Sequence, residues 1–447
     1  GDVYKRQIPY KYKQNSMKQD GDSLYLNIDV NIQYYLEKAL QDCVEEHKPL
    51  ERACGIIMNP KTGEVYAMAT NYSYDPNEPS VVTDEETAAK LAGMDPESAE
   101  YRDMRLNAWS TQWKNKAISE LYFPGSVFKV ITGSAALEEN AITLDDIFSC
   151  GTSIHVEDRD FACWSNTDHG GQNLQQAMTN SCNPAFVQIG QRLGIDGFFK
   201  YLKAYGFTET TGIDLPGESN SIYMPLASMG QVNLASESFG QTNKVTPIQM
   251  ITAYSAAING GYLVTPQVVD RITDSNGNVV KDFKPEIKRQ VISDETSAAM
   301  REILQGVVDT NTSSNSYVQG YRIGGKSGTS QKIDVDETGH TYVASYCAFA
   351  PADDPEIIML VMVDDPQGGQ YYGSQVAAPM CSRVLSEVLP YLGYFPEYTD
   401  EELAELEVSV PNVEYHNVSD AISTIKALGL ETEVIGDGDT TVSYTHL

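Results

Sequence analysis

In the stretch "YFPGSVFKV", Ser126 stands three residues before Lys129 and directly after Pro124 and Gly125. At helical spacing i and i+3 share one face, so the hydroxyl and the amine would lie side by side. The Pro-Gly turn would set Ser126 in the first turn, where free backbone N–H groups point outward. That is an arrangement for a serine nucleophile with a lysine base. It also reads as a helix cap followed by a solvated lysine. Two further short patterns follow, Ser181-Cys182-Asn183 and Lys326-Ser327-Gly328. Each pattern has a decoy in the same chain: Ser423–Lys426, Ser313-Ser314-Asn315 and Lys61-Thr62-Gly63. Only context separates them. Ser126 opens a helix, Ser181 interrupts a helical stretch before Pro184, and Lys326 lies on a strand between "IGG" and "GTS". Ser423 lies inside a helix with no Pro-Gly before it, Ser313 in the polar loop "DTNTSSNSY", and Lys61 in a hairpin turn. The ordered set of all three patterns is the strong signal.

The elements that must position these residues follow from periodicity. "IQYYLEKALQDCVEEH" predicts a helix, and "ACGIIMNPKTGEVYAMAT" a hairpin around Asn-Pro-Lys-Thr-Gly. The acidic stretch 78–103 reads as a surface insertion. Residues 140–320 read as mainly helical, with "NLQQAMTNSCNPAFVQIGQRLG" and "TPIQMITAYSAAINGG" the clearest periods, each ending on glycine. "YRIGGKSGTSQKI", "TYVASYCAFAPA" and "EIIMLVMVDD" read as three successive strands, followed by the helix "SQVAAPMCSRVLSEVLPYLG". Strands from both ends with helices between them predict a mixed α/β (α+β) fold, an antiparallel sheet flanked by helices.

Length and charge bound the rest. The 447 residues allow two or three domains, and a net charge of -31 gives no footprint for nucleic acid or anionic lipid. No run approaches the roughly 18 apolar residues of a membrane span. Residues 1–7 ("GDVYKRQ") and 442–447 ("VSYTHL") read as the translation of a sequencing-library transposon end, so they are set aside from fold reasoning. The natural chain is then expected to continue beyond both ends, with a short tail and one membrane span upstream. The seven cysteines, at 43, 54, 150, 163, 182, 347 and 381, include no C-x-x-C pair. On spacing they form no zinc ligand set, and neither a metal nor another cofactor is expected. Of the six histidines only His169 lies in a motif-like context, and its "HGG" reads as a structural turn. Trp109, Trp113 and Trp164 read as packing or cleft-lining residues.

Beyond the three patterns, "HGGQNL", "TGIDLPGE", "SFGQTNKVTPIQM", "FAPADDP" and "YYGSQVAAP" complete a resemblance over roughly 22–395 to the penicillin-binding proteins. It looks most like the class B transpeptidases of division or sporulation. "VPNVEYHNVSDAISTIKALGL" resembles the start of a PASTA module. The resemblance implies the penicillin-binding-protein and serine β-lactamase-like fold. It divides the chain into a pedestal remnant at 8–21, a transpeptidase domain at 22–395, an acidic linker at 396–407 and a partial PASTA module at 408–441. It implies that Ser126 attacks a stem peptide ending in D-Ala-D-Ala, with Lys129 as base and Lys326 lowering its pKa and drawing the substrate carboxylate. Ser181 and Asn183 serve the leaving amine and substrate amide, Ser327, Gly328 and Thr329 bind substrate, and the N–H groups of Ser126 and Thr329 form an oxyanion hole. Implied partners are peptidoglycan, β-lactams as inhibitors, and a glycosyltransferase or division or sporulation complex; the implied location is the outer face of the cell membrane.

Three other readings share parts of this pattern. A serine β-lactamase needs a deacylating carboxylate, for which no loop motif is visible; a D,D-carboxypeptidase uses water as acceptor; a non-enzymatic wall-binding or β-lactam-sensing protein would not need the intact set. Sporulation-type members also look similar in carrying a cysteine pair beside the active site. By that resemblance Cys163 and Cys182 form a redox pair that would displace Ser181 and Asn183 when oxidised. Two buried, unpaired cysteines are the alternative.

Overall fold

The computed structural model describes residues 21–71, 73–165, 167–310, 315–332, 341–406, 413, 416–426 and 432–441. The two adapter-like ends, residues 8–20 and the decoy serines at 313 and 314 lie outside them. The chain divides into two compact units. The larger runs to Val318 and resumes at Arg322–Gly393; the smaller comprises Gln319–Tyr321 and the chain from Tyr394.

The larger unit is organised by a five-stranded sheet in the order Gly324–Gln331, Tyr342–Ala350, Ile357–Asp364, Arg52–Met58, Val65–Thr70. Every neighbouring pair is antiparallel, as the strand readings predicted. All eight residues of Ile357–Asp364 are buried, so this strand needs cover on both faces. Helices Val30–His47 and Ala378–Tyr391, packed on each other, cover one face. Pro247–Ile258, buried along all 12 residues, covers the other. Lys326 lies on Gly324–Gln331, which ends the sheet and so has one free edge.

Residues 140–320 are less purely helical than their periodicity predicts. Helices Leu174–Thr179, Asn183–Ala204, Gln231–Glu237, Pro247–Ile258 and Asp294–Asp309 are joined by short strands. These include Phe148–Ser149 against Gly171–Gln172 and the hairpin Ser153–Val156 with Arg159–Ala162. Such two- to four-residue strands are too short to show a period-2 pattern, and some, such as Val279–Asp282, are exposed throughout. The long "NLQ…RLG" period is cut once, at Ser181 with φ 50°, and ends as read at Gly194 with φ 75°, beyond which the helix resumes to Ala204. In the smaller unit helix Val418–Lys426 stands where the sequence predicts one. Residues 407–412, 414–415 and 427–431, which flank it, lie outside the described residues; Asn417 and Thr440 form an antiparallel bridge.

Candidate active site

The first motif is a tight turn feeding a helix. Gly125–Phe128 form one 3-10 turn, and the α-helix begins at Lys129 and runs to Glu138. Ser126 therefore sits one turn ahead of the α-helix proper. Gly125 has φ 54°, and a Cβ there would stand 3.0 Å from Ser330 Cβ, so the turn lies against the free-edge strand. Gly125 N donates to Gly240 O at 3.0 Å. At Gly240 itself φ is 83° and a Cβ would come within 2.2 Å of Gly125 O. Backbone packs directly on backbone here, which only glycine permits.

The second motif occupies the break between two helices. Ser181 takes a left-handed φ of 50°, uncommon for a residue with a side chain. This conformation turns both its carbonyl and its hydroxyl toward Lys129, whose Nζ lies 2.6 Å from Ser181 O and 3.2 Å from Ser181 Oγ. Helix Asn183–Ala204 starts with Asn183 and Pro184 in its first turn, a position where proline costs no hydrogen bond. Asn183 Oδ1 accepts from Lys129 Nζ at 2.8 Å, while its Nδ2 donates to Ala162 O at 3.1 Å.

The third motif closes the group. Lys326 Nζ donates to Ser181 Oγ at 3.1 Å and to Ser327 O at 3.0 Å. Lys129 Nζ is 3.1 Å from Ser126 Oγ. An unbroken chain therefore runs from Lys326 through Ser181 and Lys129 to Ser126. Both lysines are fully buried. Burial drives the Lys129 amine well below the ordinary lysine range, and the neighbouring Lys326 lowers it further. Burial brings Lys326 down to about 7. Lys326 and Ser330 share one face of the strand by its period of two; Ser330 Oγ donates to Phe123 O at 2.5 Å. Thr329 takes the alternate position, its hydroxyl accepting from Gly373 N at 3.0 Å, and Ser327 is half-buried.

The decoys stand apart from this group. Lys61 is held between Asp354 and Glu356, each at 2.6 Å, and Ser423 is exposed in the smaller unit. Trp109 and Trp113 stack on each other at 5.3 Å in or beside helix Ala99–Gln112. Trp164 is different: its indole N–H donates to Asn180 O at 2.7 Å and its ring meets Tyr372 edge-on at 6.1 Å. It joins the segment leading to Ser181 to the loop after Asp364.

One grouping is invisible to spacing. Cys150, Cys163, His169 and Cys182 bring their ligand atoms within 4.8 Å of one another. Cys150 Sγ lies 3.5 Å and Cys163 Sγ 3.6 Å from His169 Nδ1. His169 is thus more than a turn residue, and the cysteines do contain a possible metal ligand set. Spacing concealed it because each ligand comes from a different short element, with no local C-x-x-C. Cys163 and Cys182, expected as a redox pair, are adjacent and both free thiols. Their contact favours the thiolate on Cys163, lowered to about 5, and the thiol on Cys182.

The profile of the penicillin-binding protein transpeptidase domain matches residues 53–386. The chain is 36% identical to Stage V sporulation protein D of Bacillus subtilis, over 99% of this chain and 66% of that protein. It is 28% identical to penicillin-binding protein PbpB of Mycolicibacterium smegmatis, over 86% of this chain and 56% of that one. It therefore spans less than two thirds of the length of these relatives. Among solved structures, penicillin-binding protein 3 of Mycobacterium tuberculosis in complex with aztreonam superposes with a TM-score of 0.71 at 24% identity, covering 85% of this chain and 81% of that one. The apo transpeptidase domain of penicillin-binding protein 3 from Burkholderia pseudomallei gives 0.67 at 22%, covering 84% and 98%. With the family profile spanning most of the sequence and the three motifs converging in one buried group, this chain belongs to the penicillin-binding protein transpeptidase domain family.

Proposed function

We propose that the chain is the catalytic part of a class B peptidoglycan D,D-transpeptidase that works through an acyl-serine and is acylated by β-lactams. The observation that carries this reading is the chain of contacts from Lys326 through Ser181 and Lys129 to Ser126. A serine hydroxyl needs a base within hydrogen-bond reach, and the base must be neutral. Lys129 meets the first condition by distance and the second by burial beside Lys326.

Ser126 Oγ attacks the carbonyl of the penultimate D-alanine while Lys129 takes its proton. The negative charge on the carbonyl oxygen falls to the N–H groups of Ser126 and Thr329, whose chain segments adjoin at Gly125. Lys326 and the hydroxyls of Ser327 and Thr329 receive the terminal carboxylate. An extended peptide lies along the open edge of the strand that carries Gly328, as in strand addition, while the missing side chain of Gly328 lets the Ser126 turn pack close, a Cβ there standing 2.8 Å from Pro124 O. Ser181 passes the proton to the departing D-alanine amine, with Asn183 fixing the amide. An amine from a second stem peptide then attacks the acyl-enzyme and releases Ser126.

The name of the relative Stage V sporulation protein D favours a sporulation role, and the family resemblance adds an upstream anchor, a location on the outer face of the cell membrane and a glycosyltransferase partner to the proposal. The reading of residues 408–441 as a partial PASTA module rests on the resemblance of "VPNVEYHNVSDAISTIKALGL". Among the described residues no helix is long and apolar enough to cross a membrane. The test is fluorescent penicillin labelling of the wild type and Ser126→Ala, run beside a crosslinking assay with a D-Ala-D-Ala donor and an amine acceptor. Labelling and crosslinking that both vanish in Ser126→Ala support the proposal. Persistent labelling refutes the nucleophile, and labelling without crosslinking refutes the transpeptidase.

A further inference from the structure

Cys150, Cys163, His169 and Cys182 form a cluster of three thiols and one imidazole for which acyl transfer has no chemical use. A tetrahedral zinc ion with Zn–S near 2.3 Å and Zn–N near 2.1 Å requires S···N edges of about 3.6 Å. The two S···N distances at His169 Nδ1 are 3.5 and 3.6 Å. A disulfide would need sulfurs about 2.05 Å apart, yet all these cysteines are free. Thiolate and imidazole donors in this number select zinc over magnesium or calcium, which prefer oxygen.

The backbone around the cluster is braced as ligand loops require. Asp168 Oδ1 accepts from Gly151 N at 3.0 Å and Gly170 N at 2.9 Å, tying the Cys150 turn to the His169 turn. Cys150 N donates to Gly170 O at 3.0 Å, and Cys163 N to Thr152 O at 2.7 Å. The cluster also touches the catalytic segment. Cys182 stands between Ser181 and Asn183, at a helix start whose cap makes no side-chain hydrogen bond. Cys163 stands between Ala162, whose carbonyl receives Asn183 Nδ2, and Trp164, whose indole holds Asn180 O. A left-handed Ser181 is strained backbone that persists only where its surroundings over-determine it.

We propose that Cys150, Cys163, His169 and Cys182 bind a Zn2+ ion that clamps the Ser181–Asn183 segment, and that this metal state and a Cys163–Cys182 disulfide are mutually exclusive states of one site. The two states compete because they use the same two sulfurs. In the oxidising step the Cys163 and Cys182 thiolates lose two electrons, the three Zn–S bonds and the Zn–N bond break, one S–S bond forms, Zn2+ leaves and the Cys150 thiolate takes up a proton. A disulfide oxidant such as oxidised glutathione takes the electrons, and its two sulfurs pick up two protons to become thiols. Drawing Cys182 to bonding distance moves the peptide between Ser181 and Asn183. Bound zinc therefore guards the active geometry against oxidation.

The test uses the purified chain loaded with Zn2+ or, separately, Co2+. Elemental analysis should find one zinc per chain, and the cobalt form should show thiolate charge-transfer and tetrahedral d–d bands. Cys150→Ala and His169→Ala should each weaken metal binding by about 10-fold or more; Cys43→Ala, whose thiol faces Val376 O, should not. Cys150→His, which keeps a donor, should retain metal with an altered cobalt spectrum and guards against loss through misfolding. With excess oxidised glutathione, zinc release and Cys163–Cys182 disulfide formation should advance together, more slowly in the loaded than in the metal-free chain. Absence of stoichiometric zinc, or binding indifferent to Cys150→Ala and His169→Ala, overturns the site. Disulfide formation at equal rates with and without zinc overturns the exclusivity. These readouts do not use acylation. Penicillin labelling, expected to fall as zinc leaves, is the only arm that rests on the transpeptidase reading.

Discussion

Replacing Lys129 by alanine separates the base from the rest of the site. Its amine meets four acceptor atoms: Ser181 O at 2.6 Å, Asn183 Oδ1 at 2.8 Å, Ser126 Oγ at 3.1 Å and Ser181 Oγ at 3.2 Å. The first two atoms can only accept, and they are the closest. A neutral amine gives both of its N–H groups to them, which leaves its lone pair for a hydroxyl proton from Ser126. Loss of a positioned general base costs about 10²–10⁴ in rate. At about 1.36 kcal/mol per factor of ten, that is about 2.7–5.4 kcal/mol of barrier. The assay is the second-order rate of acylation by fluorescent penicillin, with a thermal melt run alongside. The melt matters because alanine leaves Ser181 O and Asn183 Oδ1 without their donor, at about 1–3 kcal/mol for each unsatisfied group. Lys129→Met, which refills the volume, should restore part of the melting temperature and none of the rate. Lys61→Ala should acylate like wild type, since its amine serves only Asp354 and Glu356. Wild-type acylation by a folded Lys129→Ala would refute the assignment of the base.

The remaining predictions use the same contacts. Lys326 is the second cause holding Lys129 low, so Lys326→Ala should raise the Lys129 pKa and move the rising limb of acylation against pH to higher pH; an unmoved limb contradicts this coupling. Glu237 is fully buried and its carboxyl is raised by burial from 4.5 to about 8. Between those values the unfolded chain releases a proton that the folded chain keeps, so stability falls as pH rises through that window, by about 1.4 kcal/mol per unit at most. Glu237→Gln should flatten denaturant midpoints between pH 5 and 8, and parallel curves for variant and wild type would sink the idea. Gly240→Ala forces a Cβ to 2.2 Å from Gly125 O at φ 83°. It should lower stability by about 1–3 kcal/mol and slow acylation by displacing the Ser126 turn; an unchanged acylation rate would show that the turn does not depend on this contact.

The sequence by itself made the three candidate motifs legible, because each is local. Ser126 and Lys129 are joined by one helical turn, Ser181 and Asn183 flank one helix start, and Lys326 follows the alternation of one strand. It likewise showed a hairpin, three later strands, one of them the apolar run "IIMLVMV", and their assembly in an antiparallel sheet, while the strand order came from the tertiary structure. Tertiary structure alone decided the left-handed turn at Ser181, since φ there is imposed by the two helices it joins. It decided the low pKa of both lysines, because desolvation depends on what is packed around an amine rather than on its neighbours in the chain. It also decided the thiol–imidazole cluster. Cys150 follows the short strand Phe148–Ser149, Cys163 follows another, His169 lies in the loop beyond, and Cys182 caps a helix. Metal-ligand spacing is legible in sequence when one loop supplies two ligands; here four backbone segments each supply one, and only their packing brings the four atoms together.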